Sequence, residues 1–472
     1  MTEKGDFKYR AVAKNILADF RGALAPGEKL PSLSELCQRY AVGANTIKKA
    51  LGLLAESGIV RRTKKSGTSL LRHSGNIPLL SVKHHIRILA LPSWRFTDVI
   101  EDLGRKFSTV DPRVSVTVER AAREDYRGRL AAGRYDLILA NEWILREFLT
   151  SSELAAGILP LSRIRGLWAR PEIFFPSVVK CFEIQGEMMG VPVNCSPVVS
   201  CVNAAYPVKN AADGMASSLR GGATLTEFVR LLEEARQPRE GINSYPFLLF
   251  LFENRWPIIV RMLGGELFSP DGRECLLESR PVMDALSLLF DLLHRRRLCI
   301  PLGGIRMIDA AGTKDIFSIG KFLCTWTSIR VLRDACPFPL RFAPLPRERR
   351  PVSHLGLEGI LVSKSTRNPE AIRDFLNFLQ GYEQMNLFAE RSNGFPCVRG
   401  FAEDFAARRE AEFPGFRVFL DSLEFAEPVV AAPRGEIIRR IQDGLTPLWL
   451  GVESVSDVCR RLNAEINRML KE

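Results

Sequence analysis

The sequence predicts a multidomain chain, with a small N-terminal α+β module followed by a large α/β one. Three observations carry that expectation. At 472 residues, 46% hydrophobic and 25% charged, the chain exceeds what one core usually organises. Its net charge of +12 is localised, because residues 1–72 hold 14 Lys+Arg against 6 Asp+Glu. Beyond residue 84 strand-like and helix-like segments alternate, the pattern of a parallel sheet covered on both faces.

Charge concentrated at one end is the footprint of a polyanion-binding module, whereas a merely soluble basic surface would spread it. From Lys8 to Phe20 the apolar positions Val12, Ile16, Leu17 and Phe20 make a helical stripe, stopped by Gly22 and Pro26-Gly27. Ser32 and Glu35 have capping-box spacing, so a second helix should run from there to Tyr40. A turn at Ala41-Val42-Gly43 leads to a third helix from about Asn45, with Ile47, Ala50, Leu51 and Leu54 inward and Thr46, Lys48 and Lys49 elsewhere. Two helices joined by such a turn form a helix-turn-helix, whose second helix fits the major groove of DNA. Ile59–Arg61 and Thr68–Leu71 then read as a hairpin around Lys64-Lys65-Ser66-Gly67, which makes it a winged helix-turn-helix.

Over residues 7–72 the segments LAPGEKLPS, AVGANTIKKAL and LAESGIVRRTKKSGTSL, in order and register, resemble the GntR family of winged-helix regulators. The resemblance implies that Ser32, Asn45, Thr46, Lys48 and Lys49 contact phosphates or base edges, and that Lys64, Lys65 and Gly67 place the wing at the minor groove. The chain departs from the family at Ser34 and at Gly43-Ala44, so base specificity does not carry over. Lysine contacts to phosphate supply salt-sensitive affinity and little sequence information.

Residues 73–84, with Gly75 and Pro78, read as a linker. After it come HIRILAL as a strand, a helix from about Phe96 to Val110, VSVTVE as a strand, a helix around Tyr126–Ala132, and YDLILA as a strand. In open α/β sheets ligands sit at the carboxyl ends of the strands. Those ends carry Trp94-Arg95, Glu119-Arg120 and Asn141-Glu142-Trp143. Indoles that stack on sugar rings, beside amides and carboxylates that bond to hydroxyls, suit a carbohydrate. Arg95 and Arg120 would instead suit an anionic sugar.

Six segments in family order, YDLILANEWILREF, ILPLSRI, GEMMGVPVNCSPVVSCVNA, MLGGELFSPDGRECLLESRPVMDALSLLFDLL, FSIGKFLCTWTSI and GLEGILVSKSTRNPEAIRDFLNFL, resemble the family 1 extracellular solute-binding proteins, the maltose-binding-protein class. The resemblance implies a two-lobed α/β domain of the type II periplasmic-binding-protein kind over residues 85–472. Lobe one would take 85–200 and 363–400, lobe two 203–356, and C-terminal helices 401–472. The chain would cross between lobes near Val198–Val202 and Leu357–Val362, with the ligand in the cleft. Matched motif positions put Asn141, Glu142 and Trp143 in the cleft loop of lobe one and Trp326 on the cleft face of lobe two. Trp94, Asn194, Trp256 and Glu358 lie in or beside segments that border the cleft in relatives. The aromatic that usually precedes the crossover Asn is replaced by Cys201-Val202 before Asn203.

Other readings are weaker. Ten cysteines without a C-x-x-C pair suit neither a zinc site nor a disulfide framework and read as reduced thiols. The opening residues lack a signal-peptide pattern and no apolar run approaches a membrane span, so a cytoplasmic protein is expected, not a transport-associated binding protein. The hydrolase elbow, the H-E-x-x-H pair, the P-loop and metal-ligand histidine spacing are all missing from the sequence, so neither catalysis nor a cofactor is expected. A winged-helix regulator with an aminotransferase-like domain would need pyridoxal phosphate held by a lysine such as Lys314 or Lys321, without a convincing acidic partner or phosphate cup around either. The expected partners are double-stranded operator DNA, a small effector that is a sugar, and a second copy in a homodimer.

Overall fold

The computed structural model describes residues 3–20, 24, 27–56, 59–63, 67–71, 84–91, 95–122, 125–131, 133–237, 245–251, 255–301, 316–329, 336–392, 394–428 and 435–472. The chain divides into two compact units: Met1–Leu137 with Ser365–Phe378, and Ile138–Lys364 with Leu379–Glu472. Among the described residues no helix is long and apolar enough to cross a membrane.

The first unit opens with α1 (Glu3–Phe20), α2 (Leu33–Tyr40), α3 (Ala44–Glu56) and the antiparallel pair β1 (Val60–Thr63) and β2 (Gly67–Leu70). Their apolar stripes meet as expected: Val12 and Ile16 of α1, Leu36 of α2, and Ile47, Ala50, Leu51 and Leu54 of α3 close one core with Ile59, Val60 and Leu70. The capping box is present, with the Ser32 hydroxyl accepting from the Glu35 amide at 3.3 Å and the Ser32 amide donating to the Glu35 carboxylate at 2.7 Å. Ala41 caps α2 in the left-handed conformation, which turns the chain into α3 within three residues. At the tip of the wing Gly67 has φ +87°, a value that L side chains rarely adopt.

The same unit holds β3 (His84–Ala90), α4 (Arg95–Val110), β4 (Val114–Arg120) and α5 (Tyr126–Ala131), with β3 and β4 parallel. The returning segment joins them: Phe375 and Phe378 pack on Phe107 of α4 at 5.1 and 5.3 Å. Thr366 donates to Asp136 at 2.8 Å, and Asp136 also accepts the Arg87 amide at 3.0 Å. The linker expectation falls outside the described residues except for His84, which already begins β3.

In the second unit β5 (Leu137–Asn141) leads into α6 (Glu142–Thr150), and β6 (Glu183–Ile184) and β7 (Glu187–Met188) form a short hairpin. The long strand β8 (Gly190–Pro197) runs almost directly into β9 (Val199–Asn203). One sheet runs β14-β8-β13-β5, with β13 (Leu355–Val362) and β14 (Phe395–Pro396) both antiparallel to β8. The other sheet runs β10-β11-β9-β12, built from β10 (Phe247–Leu248), β11 (Cys324–Thr327) and β12 (Leu340–Ala343) around β9. In this sheet β9 is antiparallel to both its neighbours. The second crossing falls earlier than Leu357–Val362: that segment lies inside β13, and the chain leaves the other sheet after Ala343 and enters this one at Leu355.

A single core under the second sheet takes in Phe228, Phe247, Trp256, Leu286 and Trp326 together with Ile437, Ile441, Trp449, Val458, Leu462 and Ile466. The C-terminal helices Gly435–Gly444 and Val455–Lys471 are thus part of this core, fastened by Asn463 and Asn467, which accept the amides of Leu277 and Cys275 at 3.1 and 2.9 Å. None of the ten cysteines is in a disulfide, and seven are buried.

Candidate DNA-contact surface and effector site

Asn45, Lys48 and Lys49 are exposed on α3, with Thr46 half-buried beside them. Lys49 is drawn back, its ammonium 5.6 Å from the Tyr9 ring. Ser32 and Gly67 are exposed as well, although the Ser32 hydroxyl also serves as a cap by accepting the Glu35 amide. Lys64 and Lys65 lie outside the described residues. The structure thus groups exposed amide and ammonium donors and a half-buried hydroxyl on the second helix of a helix-turn-helix, the arrangement that places a register on phosphates and base edges. The wing strand adds Arg61 and Arg62, both exposed, which the R-R pair in the sequence could have signalled.

The effector candidates divide into a polar strip and a buried group. Asn194 of β8 faces Glu358 of β13 in register, and its amide donates to the Glu358 carboxylate at 2.8 Å. Asn194 is 4% exposed, and its oxygen finds no hydrogen-bond partner among the described residues. Ser196, two positions on and so on the same face, has its hydroxyl in the same condition. Buried polar atoms left unpaired are uncommon and costly, and a ligand or ion is one of the few explanations for them. Gly394 closes over this place, since any side chain there would overlap the Asn194 amide. Ser196 is not among the sequence-based candidates, although its alternation with Asn194 along the strand is legible in the sequence.

Asn141 caps α6, its oxygen accepting from the Ile144 amide at 3.0 Å. Glu142 accepts from the Leu357 amide at 3.4 Å, and its other oxygen stands 3.9 Å from Nε2 of His354. His354 is 3% exposed; burial first, then the guanidinium groups of Arg255 and Arg261, hold its pKa well below 6.5, so it meets Glu142 as a neutral imidazole and not as an ion. The unfolded chain, with an ordinary histidine, takes up the proton first. Stability should therefore be full above pH 6.5 and fall below it, by at most about 1.4 kcal/mol per pH unit for this one group. Urea midpoints at pH 7.5 and 5.5 check this, and His354→Gln should flatten the difference.

Around the passage between sheets, the Ser353 hydroxyl donates to the Val198 carbonyl at 2.8 Å and accepts its amide at 3.0 Å. Glu427 donates its amide to the Ser353 carbonyl at 3.0 Å and accepts the Leu355 amide at 3.0 Å. Its carboxylate joins Arg261 at 2.5 Å and Lys180 at 3.4 Å. Burial opposes the charge of Glu427, but Arg261 and Lys180 outweigh it and keep its pKa below the usual value.

Trp326 and Trp256 are corrections. Trp326 is 1% exposed, paired with Ser200 across β9 and packed on Phe228 and Phe247 at 5.5 and 5.3 Å. Its face of β11 is the one that helix Leu225–Glu234 covers, so it is a core residue and not a stacking platform. Trp256 is 2% exposed and packs near Trp449 at 6.3 Å, because the C-terminal helices cover the helix that it begins. Trp143 lies in α6 with its side chain outside the description, and Trp94 is outside the described residues.

The profile of the bacterial regulatory proteins of the gntR family matches residues 8–70. The chain is similar in fold to an ABC substrate-binding protein from Listeria monocytogenes in complex with cycloalternan, at 16% identity over 82% of this chain and 99% of that one, TM-score 0.65. It is similar to maltose-bound T. maritima MalE3, at 16% identity over 82% and 100%, TM-score 0.64. It is also similar to the sugar-binding protein MalE from the phytopathogen Xanthomonas citri, at 15% identity over 82% and 97%, TM-score 0.65. No curated protein matches the chain. A GntR domain is thus joined to a two-lobed, maltose-binding-protein-like fold, as the motifs implied, and an aminotransferase-like second module is set aside.

Proposed function

We propose that the protein is a DNA-binding transcriptional regulator whose operator affinity is set by a small carbohydrate bound in the C-terminal domain. The carrying observation is the pairing, in one chain, of a GntR winged helix presenting Asn45, Thr46, Lys48 and Lys49 with a binding-protein fold that leaves Asn194 and Ser196 unsatisfied beside Glu358. Acceptors dominate that strip: the Asn194 oxygen and the carboxylates of Glu358 and Glu142. They favour a hydroxyl-rich, uncharged sugar over a sugar phosphate. Arg120, a candidate for an anionic sugar, is taken by Asp98 and Glu101 at 2.7 and 2.9 Å.

The regulator works in the cytoplasm, without catalysis, as a homodimer on two half-sites. Ligand shifts DNA affinity only to the extent that it binds the two conformations of the domain differently. The passage at Val198 and Ser353-His354, braced by Glu427 and Arg261, is where such a rearrangement turns. The test is to recover bound sequences from a random duplex pool with the full chain, and then to titrate sugars against the complex.

A further inference from the structure

We propose that Arg62 is a phosphodiester clamp seated in the seam between α3 and the wing. Along β1, Val60 and Arg62 share a face, and Val60 is buried against the helices together with its partner Leu70. Arg62 therefore projects toward α3. Its Nη1 stands 3.5 Å from the Lys48 carbonyl oxygen, at the outer limit of a hydrogen bond, and 3.9 Å from where a Cβ would sit on Gly52, one turn further on. The side chain lies along the flank of α3 and remains exposed.

That position decides what it meets. With a helix in the major groove and a wing at the adjacent minor groove, a sugar-phosphate backbone passes between them, so groups in the seam face phosphate oxygens and not base edges. A guanidinium carries five donors in a planar fork. One reaches Lys48, and the others are free to take a phosphate in a bidentate fit that an ammonium does not offer. Two other cations of the module are committed: Arg39 is paired with Asp19 at 3.1 Å and lies over Phe20, and Lys49 lies over Tyr9. Contact with phosphate fixes the register of the helix and wing together without reading sequence.

The inference rests on the DNA-binding reading of this module, and its test separates the two. Full-length wild type, Arg62→Gln and Arg62→Lys are titrated onto a selected operator and a scrambled duplex of equal length between 50 and 200 mM salt. Arg273→Ala, which removes one exposed charge in the other unit, is the control. The contact of Arg62 with the Lys48 carbonyl is at the outer limit of a hydrogen bond and lies on an exposed side chain, so unfolding curves of Arg62→Gln should match wild type. The slope of log affinity against log salt should become shallower by about 0.9 for each half-site, about 1.8 for the dimer, with the same fold-loss on both duplexes. Arg62→Lys should keep the slope and lose part of the affinity, and Arg273→Ala should change neither. An unchanged slope for Arg62→Gln, or a loss confined to the operator, overturns the clamp while leaving DNA binding intact. A wild type that binds neither duplex overturns the DNA-binding reading itself.

Discussion

Trp326→Ala should destabilise the second unit by about 3–5 kcal/mol, the cost of emptying a large, fully packed aromatic site. The indole contacts Phe228 and Phe247, which in turn meet each other at 5.2 Å, so its removal leaves a cavity that two rings held on a sheet and a helix cannot readily collapse. Only its ring nitrogen resists this packing, finding no partner among the described residues. Urea unfolding followed by fluorescence reads the change. The consequence for function is indirect: sugar affinity of the folded fraction should survive, because the indole does not line the polar strip. Full stability with lost sugar binding would instead return Trp326 to the ligand.

Arg261→Ala should cost about 3 kcal/mol, since a guanidinium that is 10% exposed would leave the carboxylates it bridges without their main partner. Arg261 ties Glu427 at 2.5 Å to Glu266 at 2.9 Å, and Glu427 holds both Ser353 and Leu355 through its backbone. The loss should shrink on acidification, because Glu427, held below its usual pKa, contributes stability that is full above the ordinary carboxylate pKa and is lost as pH falls from there through its own lower value. Arg261→Lys should recover only part of the loss, as one ammonium cannot serve two carboxylates in fixed directions. Unfolding of the two variants at pH 7 and pH 4 measures this.

The N-terminal module was legible almost to the residue, because its signals are local. Ser32 with Glu35, the Ala41–Gly43 turn and the stripe Ile47, Ala50, Leu51 and Leu54 each fix one feature within a few positions of themselves. The strands of the first α/β stretch were legible for the same reason, from His84–Ala90 through Leu137–Asn141. The candidate effector site was not. Trp326 sits at a strand position where alternation gives two faces and cannot say which one a helix will cover. Trp256 became core through the C-terminal helices, nearly two hundred residues away in sequence. The strip of Asn194, Ser196 and Glu358 depends on the register of β8 against β13, which only the folded sheet sets. The bracing by Glu427 is of that kind as well.

The most direct test of the central claim is the affinity of the full chain for its selected operator, followed by fluorescence anisotropy at fixed salt with and without saturating neutral sugar. A coupled regulator should change its dissociation constant by about 5–150-fold, the range of ordinary linkage between sites. By reciprocity the sugar should then bind the operator complex and the free protein with the same ratio of affinities. Tight sugar binding that leaves operator affinity unchanged would contradict the account, leaving a DNA-binding domain and a binding-protein fold that share a chain without regulating one another.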